Sequence, residues 1–207
     1  TIVTGIDFSK SSITAMNLAI DITARANADL HIIWVETVEI EREKAEDKLK
    51  EYVANAKKKL TNSEVYYHIL PKGKVYTMLN KAVKELNADL LETKTQRNSS
   101  YDDKFAGANT YKTITVAHCP VLTIREDFHF EKDLEVLIMP IDFTKDTRQK
   151  VPWTIEFVKM FPNAVIHVLG IYSSTSKSIR DIVDKYVLSV EHLLDSKGLK
   201  YTTDFIE

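Results

Sequence analysis

Glycine is scarce in this chain. Its 207 residues include five, Gly5, Gly73, Gly107, Gly170 and Gly198, and the closest two stand 28 positions apart. A Walker A loop needs two glycines five positions apart ahead of a lysine. A dinucleotide fingerprint needs three glycines within six positions. Neither exists here, and the same count excludes a G-x-S-x-G nucleophile elbow. Cysteine is scarcer still: the single Cys119 leaves no internal disulfide and suits a reducing compartment. Neither sign of charge dominates, with 28 Lys+Arg against 30 Asp+Glu and a formal net charge of −2. There is no global basic field to hold a nucleic acid. The apolar runs are strand-sized, far short of the roughly 20 residues that span a bilayer. The opening TIVTGIDFSK shows no charged n-region or long apolar h-region of a signal peptide. These absences predict a soluble, cytoplasmic protein with no membrane and no nucleic-acid partner.

What the chain does contain is a repeat. Residues 2–10 read IVTGIDFSK and residues 137–145 read LIMPIDFTK, so that Asp7 matches Asp142 at an offset of 135. The match resumes at Leu18–Asp21 with Trp153–Glu156. After one inserted residue, Ala28–Ile33 aligns with Ala164–Leu169. A period this long suits two copies of one domain rather than a solenoid.

Each copy alternates strand and helix patterns. In the first, Ile2 to Ile6 predicts a strand, and Asp7-Phe8-Ser9 offers N-capping groups. A helical pattern follows through Ala15, Leu18, Ala19 and Ile22. Leu30–Val35 is a second strand. Glu39 to Leu60 is highly charged, yet Ala45, Leu49, Tyr52, Val53, Ala56 and Leu60 share one helical face, so the charges read as a solvated surface. Val65–Leu70 predicts a third strand, the Val75–Leu86 pattern a third helix and Ala88–Leu91 a short buried fourth strand. A polar stretch follows from Glu92 to Lys104. Tyr111, Ile114 and Thr115 suit a fourth helix, and Val121–Ile124 a fifth strand. Strands separated by helices imply parallel pairing through right-handed crossovers. The fold class is therefore α/β: an open, parallel, five-stranded, Rossmann-like sheet with helices on both faces, followed by a partial second copy. The predicted domains are 1–125 and 134–207, joined by a linker at 126–133. The second copy repeats three strands only. From its missing strands, a natural chain longer than this one is expected.

These residues resemble the universal stress protein family in its tandem two-domain form. The resemblance rests on I-D-F-S-K after the first strand, A-x-L-H-I-I-W-V at the second, Lys72-Gly73, A-D-L-L at the fourth strand and A-H-C-P-V-L-T-I at the fifth. It implies a fold like that of the adenine nucleotide alpha hydrolases, with a ligand crevice at the carboxyl ends of the first and fourth strands. That place agrees with the general rule for open α/β sheets. It further implies an ATP-type loop of Gly, two residues, Gly, nine residues, Gly and Ser or Thr. This chain keeps the spacing but puts Lys94, Arg97, Gly107 and Ala108 at those positions. A Cβ at Lys94 or Arg97 restricts positive φ and close backbone approach, while both side chains remain cationic. The candidate nucleotide crevice so implied comprises Asp7, Val35, Lys94, Arg97, Gly107, Ala108 and Asn109, with Asp142 the counterpart of Asp7. No cofactor is expected in the first domain, with ATP, ADP or AMP as the alternative ligands. The family also implies a homodimer, or an intrachain pseudo-dimer, through the fifth strand.

Asp7 and Asp142 read either as crevice carboxylates or as caps of the following helix. Ser9 and Thr144 read as helix-start hydroxyls, since no His or acid stands at an activating spacing. His118-Cys119 lacks the further ligands that zinc needs, so no metal is assigned. No catalytic residue is assigned either, and the expectation is a non-enzymatic stress-response binding or regulatory module. Its alternatives are an adenine-nucleotide switch or slow ATPase, and a dimerising scaffold.

Overall fold

The computed structural model describes residues 1–95, 108–125, 128 and 133–207, with only the backbone described for Ala108 and Asn109. The chain divides into two compact units, Thr1–Phe130 and Glu131–Glu207.

Unit 1 runs β1 (Ile2–Ile6), α1 (Lys10–Ala26), β2 (Leu30–Val35), α2 (Arg42–Lys59), β3 (Val65–Leu70), α3 (Val75–Glu85), β4 (Leu90–Lys94), α4 (Ala108–Val116) and β5 (Val121–Ile124). Its strands form one parallel sheet in the order β3-β2-β1-β4-β5. Chain order reverses between β1 and β4, which leaves a crevice at their carboxyl ends. Helix α1 starts where the sequence offers hydroxyls: Ser9 is its N-cap and accepts from the Ser12 N–H. It ends at Asn27, whose left-handed φ of 48° lets its N–H reach the Thr23 carbonyl. In α2, Ala45, Leu49 and Ala56 are buried while the charged side chains face water, and the basic triplet Lys57–Lys59 fills the last turn.

The sequence pattern ends the fourth strand at Leu91, whereas β4 continues through Glu92, Thr93 and Lys94. The physical reason is pairing with β5 along all three residues, joined at Glu92 by pairing with β1. Glu92 stands beside Thr4 of β1 and Leu122 of β5. A polar residue read as loop is thereby held in a central strand, fully buried. The face that carries Val3, Ile33 and Leu91 packs on Leu79, Ala82 and Val83 of α3. Gly5 belongs to this contact: a Cβ there would stand 3.0 Å from the Leu79 side chain.

Unit 2 runs β6 (Val136–Ile141), a 3-10 turn (Asp146–Arg148), α5 (Val151–Val158), β7 (Val165–Ile171), α6 (Lys177–Ser196) and β8 (Tyr201–Ile206). Among the described residues its sheet has three parallel strands in the order β6-β7-β8. Right-handed crossovers that run in one direction place α5 and α6 on the same face. The strand β7 records this directly, since its residues alternate between buried and half-buried along the whole strand. On the other face Ile138, the counterpart of Val3, is 61% exposed, whereas Val3 is fully covered. The helix that the repeat predicts directly after Asp142 is delayed, with the 3-10 turn taking its first positions.

Candidate functional site

Strand β1 ends at Ile6, so Asp7 is the first residue of the crevice. Phe8 then takes a left-handed φ of 62°, a strained setting for an aromatic residue. Its ring lies 5.8 Å from that of Trp34 and 6.2 Å from that of Tyr52, with Lys48 Nζ 5.2 Å from its centroid. The reversal at Phe8 turns the chain back on Asp7. The Ser9 N–H and Oγ–H donate to Asp7 Oδ1 at 3.1 and 2.6 Å. The Asp7 N–H donates to Ser12 Oγ at 3.3 Å. Asp7 is therefore not the helix cap itself. It fixes Ser9, which is.

The cation comes from β4. Lys94 Nζ lies 2.5 Å from Asp7 Oδ2 and donates to Ser9 Oγ at 2.9 Å. The Lys94 carbonyl accepts from Thr110 Oγ1 at 3.3 Å, which ties α4 to the end of β4. Burial on its own would push the Asp7 carboxyl up. The donors opposing it, Lys94 first and then Ser9 and Ser12, hold it down to about 2. Asp7 is thus a carboxylate at any physiological pH, already neutralised from within the chain.

The remaining candidate residues fall in different places. Val35 closes β2 and is buried. Ala108 and Asn109 open α4. Arg97 and Gly107 lie outside the described residues. Asp142 repeats the arrangement of Asp7 in unit 2. The Thr144 N–H and Oγ1–H donate to its Oδ1 at 2.8 and 2.6 Å, and its own N–H donates to Thr147 Oγ1 at 3.3 Å. Thr144 and Thr147 stand 135 positions after Ser9 and Ser12, the same offset as the sequence repeat. The nearby cation differs. Lys150 Nζ donates to Thr147 Oγ1 at 3.3 Å and approaches from the chain just before α5. Thr144 is the main influence holding the Asp142 carboxyl below its usual range, against some burial, with Lys150 adding less. Burial pushes the Cys119 thiol up to about 11, so it stays protonated and a poor nucleophile at neutral pH.

Three features escape the sequence reading. Phe8 carries no signal for positive φ. Thr110 is invisible without the α4–β4 contact. Glu92 sits in what looks like a polar loop.

Residues 1–125 match the sequence model of the Universal stress protein family. The chain belongs to that family. Among solved structures, a universal stress protein in complex with cAMP covers 61% of this chain and 96% of its own, at 22% identity and a TM-score of 0.52. The universal stress protein of Archaeoglobus fulgidus covers 59% of this chain and 96% of its own, at 18% identity and a TM-score of 0.50. A functionally unknown protein from Pseudomonas aeruginosa PAO1 covers 100% of this chain and 73% of its own, at 11% identity and a TM-score of 0.69. At these identities the likeness concerns the fold alone. No curated protein sequence matches the chain. For this universal stress protein, then, the family is established by sequence, and the Lys94–Asp7 contact is a property of its own residues. Among the described residues no helix is long and apolar enough to cross a membrane.

Proposed function

We propose that this universal stress protein is a non-enzymatic binding or regulatory module of a stress response, whose first crevice is closed by its own lysine in place of a nucleotide. The observation that carries the reading is the position of Lys94 Nζ, 2.5 Å from Asp7 Oδ2 and 2.9 Å from Ser9 Oγ. A ligand that takes Asp7 between β1 and β4 would have to displace that contact, in which both groups keep some exposure to water. The loop that would wrap phosphates has Lys94 and Arg97 where the family pattern has glycine, and Ala108 in place of a hydroxyl donor. The non-enzymatic part of the reading rests on the roles that the candidate groups already fill. Asp7 is bound by Lys94, Ser9 caps α1, and the Cys119 thiol is pushed up by burial. A reducing, cytoplasmic setting belongs to the same reading, on the strength of the single cysteine.

A second reading, an adenine-nucleotide switch, is favoured by the cAMP carried by one structural relative. A thermal-shift panel with ATP, ADP, AMP and cAMP separates the two. The lysine-closed crevice predicts no shift with any of them. Nucleotide present at 100 times its Kd would stabilise the fold by about 2.7 kcal/mol, and a shift of that order would overturn the reading. Pairing of two copies through β5, which ends the sheet of unit 1, is part of the proposal and is testable by sedimentation.

A further inference from the structure

Outside the crevice, two histidines meet on neighbouring strands. His31 lies in β2 and His68 in β3, offset by two residues along the ladder: His31 stands beside Tyr66, and Ile33 beside His68. His31 Nδ1 and His68 Nε2 are 2.8 Å apart. The two rings are 15° from coplanar with centroids 5.1 Å apart, so the nitrogens face each other head-on. The Tyr66 ring stacks on His31 at 4.9 Å and holds its plane. The same register in unit 2 again sets a histidine beside a second donor side chain. His167 Nε2 lies 3.6 Å from Asp204 Oδ2, and its Nδ1 lies 2.7 Å from Thr202 Oγ1. Two copies of one strand pair thus keep a histidine and a second metal-type ligand at the same spot, although the second ligand has changed from His to Asp.

We propose that His31 Nδ1 and His68 Nε2 form a two-ligand site for a late first-row divalent ion, copper, nickel or zinc, with water completing the coordination shell. Imidazole suits these ions, and copper should bind most tightly. Nitrogens about 2.0–2.1 Å from a tetrahedral zinc ion stand about 3.3 Å from each other. From the observed 2.8 Å the rings therefore need to part by roughly half an ångström and each to tilt by about 35°, so that both lone pairs point at one ion held at the tetrahedral angle. Among the described residues strand β3 is an edge strand, paired only with β2, so that displacement disturbs one ladder. The proton arithmetic is simple. In the free pair, one facing nitrogen carries the hydrogen that the other accepts. On binding, the donor ring keeps its proton on its other nitrogen, and none leaves the protein. Both rings are available in the neutral form, because burial holds each below its ordinary range. His68 reinforces this at His31, and Asp29 opposes it there. Among the described residues no three His, Cys, Asp or Glu side chains converge on one point, which is why water must supply the remaining ligands and the affinity should be modest. The site is independent of the crevice and stands or falls separately from it.

The test uses the full chain and zinc chloride, read by long-range proton–nitrogen NMR of the histidine rings. Zinc should shift the His31 Nδ1 and His68 Nε2 signals together, leaving His118 and His192 in place. In parallel calorimetric titrations with copper, nickel and zinc, the His68→Gln protein should lose one binding step. Ring signals at His31 and His68 that stay fixed while zinc is added would overturn the proposal. So would a folded His68→Gln protein that titrates like the parent. The NMR arm needs no variant, so it decides the matter even if His68→Gln does not fold.

Discussion

Units 1 and 2 close the same turn with the same hydrogen bonds and then put it to different use. In both, an aspartate after the first strand accepts from the N–H and hydroxyl of the residue two positions on. In both, its own N–H donates to a hydroxyl five positions on. In unit 1 a lysine from β4 then reaches across to the aspartate. In unit 2 the cation sits one turn further along the same segment and bonds to Thr147. The repeated Asp-Phe-Ser/Thr is therefore a turn-closing device whose hydrogen bonds come from its own segment in both units. What distinguishes a crevice is the strand that supplies Lys94. The burial pattern teaches the same point. Parallel strands covered on both faces read as continuous apolar runs, while strands covered on one face alternate. β2 is buried along nearly all its length and β7 is buried at every second residue.

The largest effect that sharpens this contrast is in packing. Ile33→Ala, in the core beneath α3, should cost about 2–5 kcal/mol. Ile138→Ala, on the bare face of unit 2, should cost within about 0.5 kcal/mol, as surface changes do. Chemical denaturation followed separately for the two units checks both. Equal losses would mean that the bare face is covered in solution.

A smaller effect concerns Glu92, buried with neither carboxyl oxygen hydrogen-bonded among the described residues. Burial, reinforced by Asp21, raises its carboxyl well above the usual range. Because the folded-state value is the higher one, the contribution is fully present below the ordinary carboxyl value of 4.5 and is lost as pH rises from there through the raised folded value. Glu92→Met should therefore stabilise unit 1 by about 1–3 kcal/mol at neutral pH, and by less at pH 4. Thermal melts across that range would contradict the account if the parent and variant curves ran parallel.

The smallest effect is at the ion pair. The Asp7 carboxyl is held down, so its contribution is present above pH 3.8 and lost as the pH falls toward about 2. Removing its partner with Lys94→Met should cost under about 1 kcal/mol, because both groups keep contact with water. Lys150→Met should alter Asp142 less still, since Thr144 dominates there.

Most of the scaffold was legible in the chain. Alternating strand and helix patterns located the elements of both units, because parallel strands announce themselves as apolar runs and helices as amphipathic ones. The repeat placed Asp142 on Asp7, and the hydroxyls followed at the same offset. The errors occurred where a residue's role depends on its neighbours. Glu92, Thr93 and Lys94 look like loop until pairing with β5, and for Glu92 with β1 as well, makes them strand. Phe8 reads only as part of a capping segment, and the turn gives it a left-handed φ. Asp7 reads as crevice acid or helix cap, and it holds the capping serine while itself being held by Lys94. None of these depends on local propensity, so no pattern along the chain marks them. Arg97 and Gly107, which the family alignment places in the phosphate loop, lie outside the described residues.

The central claim is that Lys94 occupies Asp7 in place of a nucleotide. The most direct measurement is the carbon-13 NMR titration of the Asp7 carboxyl, with and without excess ATP. The account predicts a midpoint near pH 2, identical in the two samples. A midpoint in the ordinary range of about 3.9, or one that moves when ATP is added, would contradict it.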